Sequence, residues 1–101
     1  MRVNKVQDKP TEDFHGAVMR RVICEDEGAP NFCMRVFEIA PNSSTPLHSH
    51  PWEHEVLVLS GQGVAKGEQG EAQVAKDVAV YIPPNEKHCF MNKGDEPLRF
   101  V

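Results

Sequence analysis

The stretch His48-Ser49-His50-Pro51-Trp52-Glu53-His54 (HSHPWEH) places three of the chain's five histidines within seven residues. Such a cluster is either a metal site or a polar surface loop, and the segments around it decide which. Along the chain the hydrophobic period is two or less, not 3.6. Apolar segments run over 18–23, 32–39, 56–59, 74–75, 78–82, 89–91 and 98–101. Between them lie turn signals rich in Gly, Pro and Asn: 27–31, 41–43, 60–63, 66–70, 83–86 and 92–95. Each holds a residue suited to the fixed or positive φ of a tight turn. Short strands spaced about 8–12 residues apart predict a sandwich or barrel. No stretch of helical length shows an apolar face, and no linker or low-complexity tract divides the chain. The sequence therefore predicts one all-β domain over residues 1–101, with 1–14 the least patterned part.

Composition narrows the function classes. The chain has 101 residues, enough for one domain, with 40% hydrophobic and 26% charged residues. The net charge of −4 and the lack of a basic stripe argue against nucleic acid as partner. No apolar run reaches the ~18 residues of a membrane span. The start, MRVNKVQDKPTEDF, has no apolar core of a secretory signal. Cys24, Cys33 and Cys89 are odd in number and lack CxxC spacing. They read as reduced thiols of a cytoplasmic protein, although Cys24 and Cys33 flank a turn and can face each other across a hairpin.

His48 and His50 stand two apart, so on a strand both project from one face. Two such imidazoles can share a metal at ~2.0–2.2 Å each. Pro51 and Trp52 turn the chain, and His54 opens the next strand, where an antiparallel return brings it beside the pair. His88, after the turn beginning Pro83-Pro84, is the candidate for a fourth ligand. The alternative is a chance cluster of exposed histidines. Two at i, i+2 would be weak evidence; a third four residues on and a fourth after a Pro-Pro turn favour the metal.

These residues resemble the cupin superfamily. Its first motif, G-x5-H-x-H-x3/4-E-x6-G, is matched with Asn42 at the first Gly, then His48, His50 and Gly61. The second, G-x5-P-x-G-x2-H-x3-N, is matched with Asp77 at its first Gly, then Pro83, Asn85 at the second Gly, His88 and Asn92. The motifs span 42–61 and 77–92. Asn is the next-best residue to Gly for a left-handed backbone, and Asp is also a turn former. At the family's Glu, either His54 or Glu55 fits; six residues separate His54 from Gly61, which selects His54. The resemblance is then to small, single-domain cupins with a four-histidine site. It implies a jelly-roll β-barrel, a double-stranded β-helix.

Four imidazoles are neutral donors that suit Mn, Fe, Ni, Cu or Zn. One divalent transition metal per chain is expected, Mn or Fe first and Ni, Cu or Zn as alternatives. Four nitrogens leave two positions of an octahedral ion for a chelating substrate, or for substrate and O₂. The resemblance implies a Mn- or Fe-dependent dioxygenase of a small metal-chelating molecule. It also implies a non-catalytic metal- or ligand-binding sensor and, behind both, a metal-dependent isomerase, because fold does not fix function. The metal is expected to serve function rather than folding, since the barrel has its own core.

Other residues carry weaker signals. Trp52 can form a pocket lip or pack the turn. Phe37, Phe90 and Met91 can line a cavity, though core packing is the simpler role. Arg35 can bind a substrate carboxylate or sit on a solvated outer face. Tyr81 as a proton donor carries little weight. Cys89 should face away from its neighbour His88, and isolated His15 should be exposed. The strands at 56–59 and 78–82 are apolar on both faces. Their outer face calls for cover, so a homodimer is expected, with the terminal segment 98–101 available to pair across it. The remaining expected partner is a small-molecule ligand or substrate.

Overall fold

The computed structural model describes residues 1–101 and is all-β apart from two one-turn 3₁₀ helices, Val6–Asp8 and Glu25–Glu27. The strands are β1 (Glu12–Asp13), β2 (Ala17–Ile23), β3 (Met34–Ile39), β4 (His54–Ser60), β5 (Gln62–Gly67), β6 (Gly70–Ala75), β7 (Ala79–Ile82), β8 (Cys89–Met91) and β9 (Leu98–Phe100). They form a six-stranded sheet in the order β1-β2-β3-β9-β4-β7 and a three-stranded sheet in the order β6-β5-β8. The two enclose a core built from alternate residues of facing strands, among them Ile39, Val56, Val58, Val74, Ile82, Phe90, Leu98 and Phe100. This is the jelly-roll barrel expected from the sequence. No helix is long and apolar enough to cross a membrane.

Three sequence expectations are corrected. Residues 62–67 form a strand, although their glycines read as turns. A Cβ on Gly63 would meet the Met91 carbonyl at 2.3 Å, so glycine there permits close approach of β8. The terminal segment does not reach across a dimer: β9 lies inside the sheet, between β3 and β4. Cys24 and Cys33 are not free thiols but are joined in a disulfide. Ile23 and Met34 are the last paired residues of the β2–β3 hairpin, which sets the two cysteines opposite one another just beyond it. Their redox state therefore no longer argues for the cytoplasm. Cys89 is the free cysteine and is buried.

The turn reading holds in detail. Asn42, Asp77 and Asn85 all adopt positive φ (62°, 72° and 69°), as does Gly61 (82°). All four family glycine positions are thus left-handed. At Gly61 a Cβ would also meet the Pro97 carbonyl at 2.3 Å, so only there is the missing side chain demanded by space as well as by φ.

Asn92 locks the second motif to the sheet. It is 1% exposed. Its Nδ2 donates to the carbonyls of Ile39 (2.8 Å) and Glu96 (2.7 Å), and its Oδ1 accepts from the Gly94 N–H (2.9 Å). On the outer face of β4 and β7, Leu57 and Tyr81 remain exposed, with Val78 just ahead of β7. Replacing Asn92 with Ala strands three backbone groups. Asn92→Ala is expected to lose about 2–4 kcal/mol of stability, read as a lower urea midpoint at unchanged m-value. A loss below about 0.5 kcal/mol would contradict this role.

Candidate metal centre and cavity

The two motifs meet as an irregular antiparallel ladder. Asn42 N–H donates to the Asn92 carbonyl, and Asn92 N–H to that of Ser43. Thr45 N–H donates to the Phe90 carbonyl (2.9 Å), while the Phe90 N–H donates to Thr45 Oγ1 (2.9 Å). His48 and His88 form an isolated bridge, exchanging both backbone hydrogen bonds. Asn85 N–H donates to the His50 carbonyl (2.7 Å). His48 and His50 therefore do not belong to a regular strand as expected; isolated bridges and single backbone hydrogen bonds hold the segment that carries them. The far side of the Pro83–Lys87 turn is fastened by Glu68, whose carboxylate accepts the Lys87 N–H (3.1 Å).

This ladder gathers His48, His50 and His88, whose ligand nitrogens lie within 4.8 Å of one another. Bonds of ~2.1 Å to one ion need about 3 Å between neighbouring nitrogens and about 4.2 Å between opposite ones. In each ring Nδ1 is tied to a backbone carbonyl two residues away: His48 to Pro46 (2.7 Å), His50 to Trp52 (2.8 Å) and His88 to Glu86 (2.8 Å). A carbonyl only accepts, so each Nδ1 carries the proton and each Nε2 keeps its lone pair. Nε2 of His50 is buried with no hydrogen-bond partner. An unpaired buried acceptor is costly, and a cation is the group that would satisfy it. The residues present thus fit a bound metal ion.

His54 stands beside these three. It begins β4 on the same face as the buried Val56 and Val58, while Glu55 is exposed, as period two requires. Its ring centroid is 4.3 Å from that of His50, edge to face, and 5.6 Å from that of His88. Its nitrogens fall outside the close group of three. Burial, then the nearby His50 and Arg35, push its pKa from 6.5 to about 4. Burial also lowers His88.

The histidines line one wall of a cavity of about 660 Å³. Phe14, Phe37, Phe90 and Phe100 provide much of the apolar surface. Phe37 stacks on Phe100 at 5.2 Å. Trp52, 58% exposed, stacks flat on His50 at 4.7 Å and forms the lip. Arg35 also lines this space rather than an outer face. Met91 and Tyr81 do not. Cys89 faces away from the cavity and His15 is exposed. Sequence reasoning passed over Phe14, whose ring meets His48 edge-on at 5.7 Å; its signal was one aromatic residue inside a polar segment.

A jelly-roll barrel with inward imidazoles beside an apolar cavity defines a class of barrel able to hold a metal ion. The cupin-domain family model matches residues 35–101, and the chain belongs to the cupin family. The polyketide cyclase RemF from Streptomyces resistomycificus superposes with a TM-score of 0.88 at 33% identity, covering 99% of this chain and 75% of that one. The tetracenomycin polyketide synthase protein TcmJ of Streptomyces glaucescens is 29% identical over 75 residues, 73% of this chain. Mannose-1-phosphate guanylyltransferase RfbM of Salmonella typhimurium is 29% identical over 77 residues, 74% of this chain. The chain spans only 50% of TcmJ and 16% of RfbM.

The depressed His54 pKa has a stability consequence. Between about 4 and 6.5 the unfolded chain binds the proton that the fold refuses. Metal-free protein is therefore expected to lose stability as pH falls from 6.5 towards 4, with no such contribution above 6.5. After discounting for a half-buried ring, His54 accounts for roughly 1–2 kcal/mol of this slope. Urea unfolding at pH 7 and pH 4.5 should show a smaller pH effect in His54→Asn than in wild type; equal effects would refute the assignment.

Proposed function

We propose that the chain is a metal-dependent cupin enzyme that closes rings in flat, oxygen-rich, polyketide-like molecules. His48, His50, His54 and His88 would hold one divalent transition metal, with Mn or Fe expected first. The observation that carries the reading is the buried, partnerless Nε2 of His50 at an aromatic cavity wall, beside two imidazoles whose Nδ1 atoms are likewise tied back. When bound, the ion would supply Lewis-acid polarisation of chelating substrate oxygens. The likeness to RemF, a polyketide cyclase, and to TcmJ, a polyketide synthase protein, supports the substrate class.

The chain's own residues do the rest. The aromatic wall takes up a planar carbon skeleton and excludes water, which favours loss of water on ring closure. Trp52 can cover the entering face from the lip. Ring closure by carbon–carbon condensation needs no oxidant: an enolisable carbon adds to a carbonyl of the same molecule, and water leaves.

Oxygen-dependent cleavage of a chelating substrate is the second reading. An all-imidazole donor set, which would suit a redox-active transition metal, favours it. A homodimer packed through the exposed β4–β7 face accompanies either reading.

Native mass spectrometry of untagged protein reads metal and copy number together. The expected species is a dimer with one metal per chain, lost in His50→Ala. The metal-loaded protein is then incubated with linear poly-β-ketones with and without oxygen. Ring-closed product formed anaerobically is expected. A product carrying two added oxygen atoms, formed only with O₂, would replace the first reading by the second. Wild type that takes up none of Mn, Fe, Ni, Cu or Zn would sink both.

A further inference from the structure

On β3, Arg35, Phe37 and Ile39 share one face, and Ile39 is fully buried in the barrel core. Phe37 pairs with Phe100 of β9, and Phe100 pairs with Val58 of β4. Two residues back along each strand, Arg35 and Val56 lie level with each other. Arg35 shares the inward face of β3 with Phe37 and Ile39, across from the strand that carries His54. It lines the same cavity as the four histidines.

The Arg35 guanidinium lies over the Phe37 ring at 5.3 Å and takes part in none of the chain's close ion pairs. Its charged neighbour across the β2–β3 ladder is Arg21, directly opposite. Arg21 has its own carboxylates, Glu25 at 3.1 Å and Asp26 at 3.8 Å. Arg35 therefore has no carboxylate within ion-pair distance; Glu55, the one carboxylate of the cavity lining, makes no close pair with it. Keeping a guanidinium half-buried without an anion is costly. Its fixed planar fork matches a carboxylate with two parallel hydrogen bonds.

We propose that Arg35 is a carboxylate-binding residue of the cavity, so that the ligands it selects are flat aromatic or conjugated acids. The carboxylate sits on Arg35, the ring system lies against Phe37 and Phe100, and the far oxygens point to the histidine wall. The orientation towards a metal rests on the functional reading above; the anion site itself does not need the ion.

The test uses chelator-treated protein and two probes that differ by one group, 3-hydroxy-2-naphthoate and 2-naphthol. Binding is measured by calorimetry at neutral pH for wild type, Arg35→Gln and Arg35→Lys. Wild type is expected to bind the acid at least about tenfold tighter than the naphthol, the range of a charge-assisted hydrogen-bonded pair. Arg35→Gln should abolish that preference while leaving 2-naphthol affinity unchanged, which also shows the cavity is intact. Arg35→Lys should restore part of it, because it keeps the charge and loses the fork. Equal binding of both probes by wild type, or an undiminished preference in Arg35→Gln, would overturn the proposal. His50→Ala separates the two readings. A preference that persists in that variant upholds the Arg35 site without the metal, and metal uptake without any Arg35-dependent preference removes the site alone.

Discussion

The pairing of residues 42–50 with 85–92 is the constraint on which the site depends. Neither segment is a long strand. They are held by a few backbone hydrogen bonds, by the buried Thr45 and Asn92 side chains, and by left-handed turns at Asn42 and Asn85. The His48–His88 bridge fixes two imidazoles side by side, and the Asn85 bond to the His50 carbonyl places the third. The carbonyls of Pro46, Trp52 and Glu86 then choose the tautomer. Backbone geometry alone aims three lone pairs at one region, with no side-chain partner needed behind them.

Around that centre the electrostatics are unusual for a small acidic protein. The cavity wall holds four imidazoles and one guanidinium, and the guanidinium makes no close ion pair. Protonating His54 or His88 is disfavoured by burial and by neighbouring positive charge. On the proposed reading, a ligand would bring negative charge to this wall and an ion positive charge, and the aromatic floor of Phe37, Phe90 and Phe100 would favour flat molecules.

Much of this was legible in the sequence, for physical reasons that differ by residue. The positive φ at Asn42, Asp77 and Asn85 follows from side chains that tolerate the left-handed region. The inward side of His54 and the outward side of Glu55 follow from period two. Residues 62–67 were misread because a glycine that permits close strand approach looks like one that makes a turn. Arg35 could not be resolved by pattern: which face of β3 lines the cavity is a tertiary fact. The Cys24–Cys33 link likewise depended on hairpin register rather than on spacing.

The central claim is that three tied-back imidazoles present their Nε2 lone pairs to one ion. ¹⁵N NMR of the histidine rings, on metal-free protein and during titration with Zn²⁺, tests it most directly. The account predicts that His48, His50 and His88 are Nδ1-protonated before metal is added, and that their Nε2 resonances all shift together and saturate at one equivalent. Nε2-protonated rings, or resonances that do not move together, would contradict it.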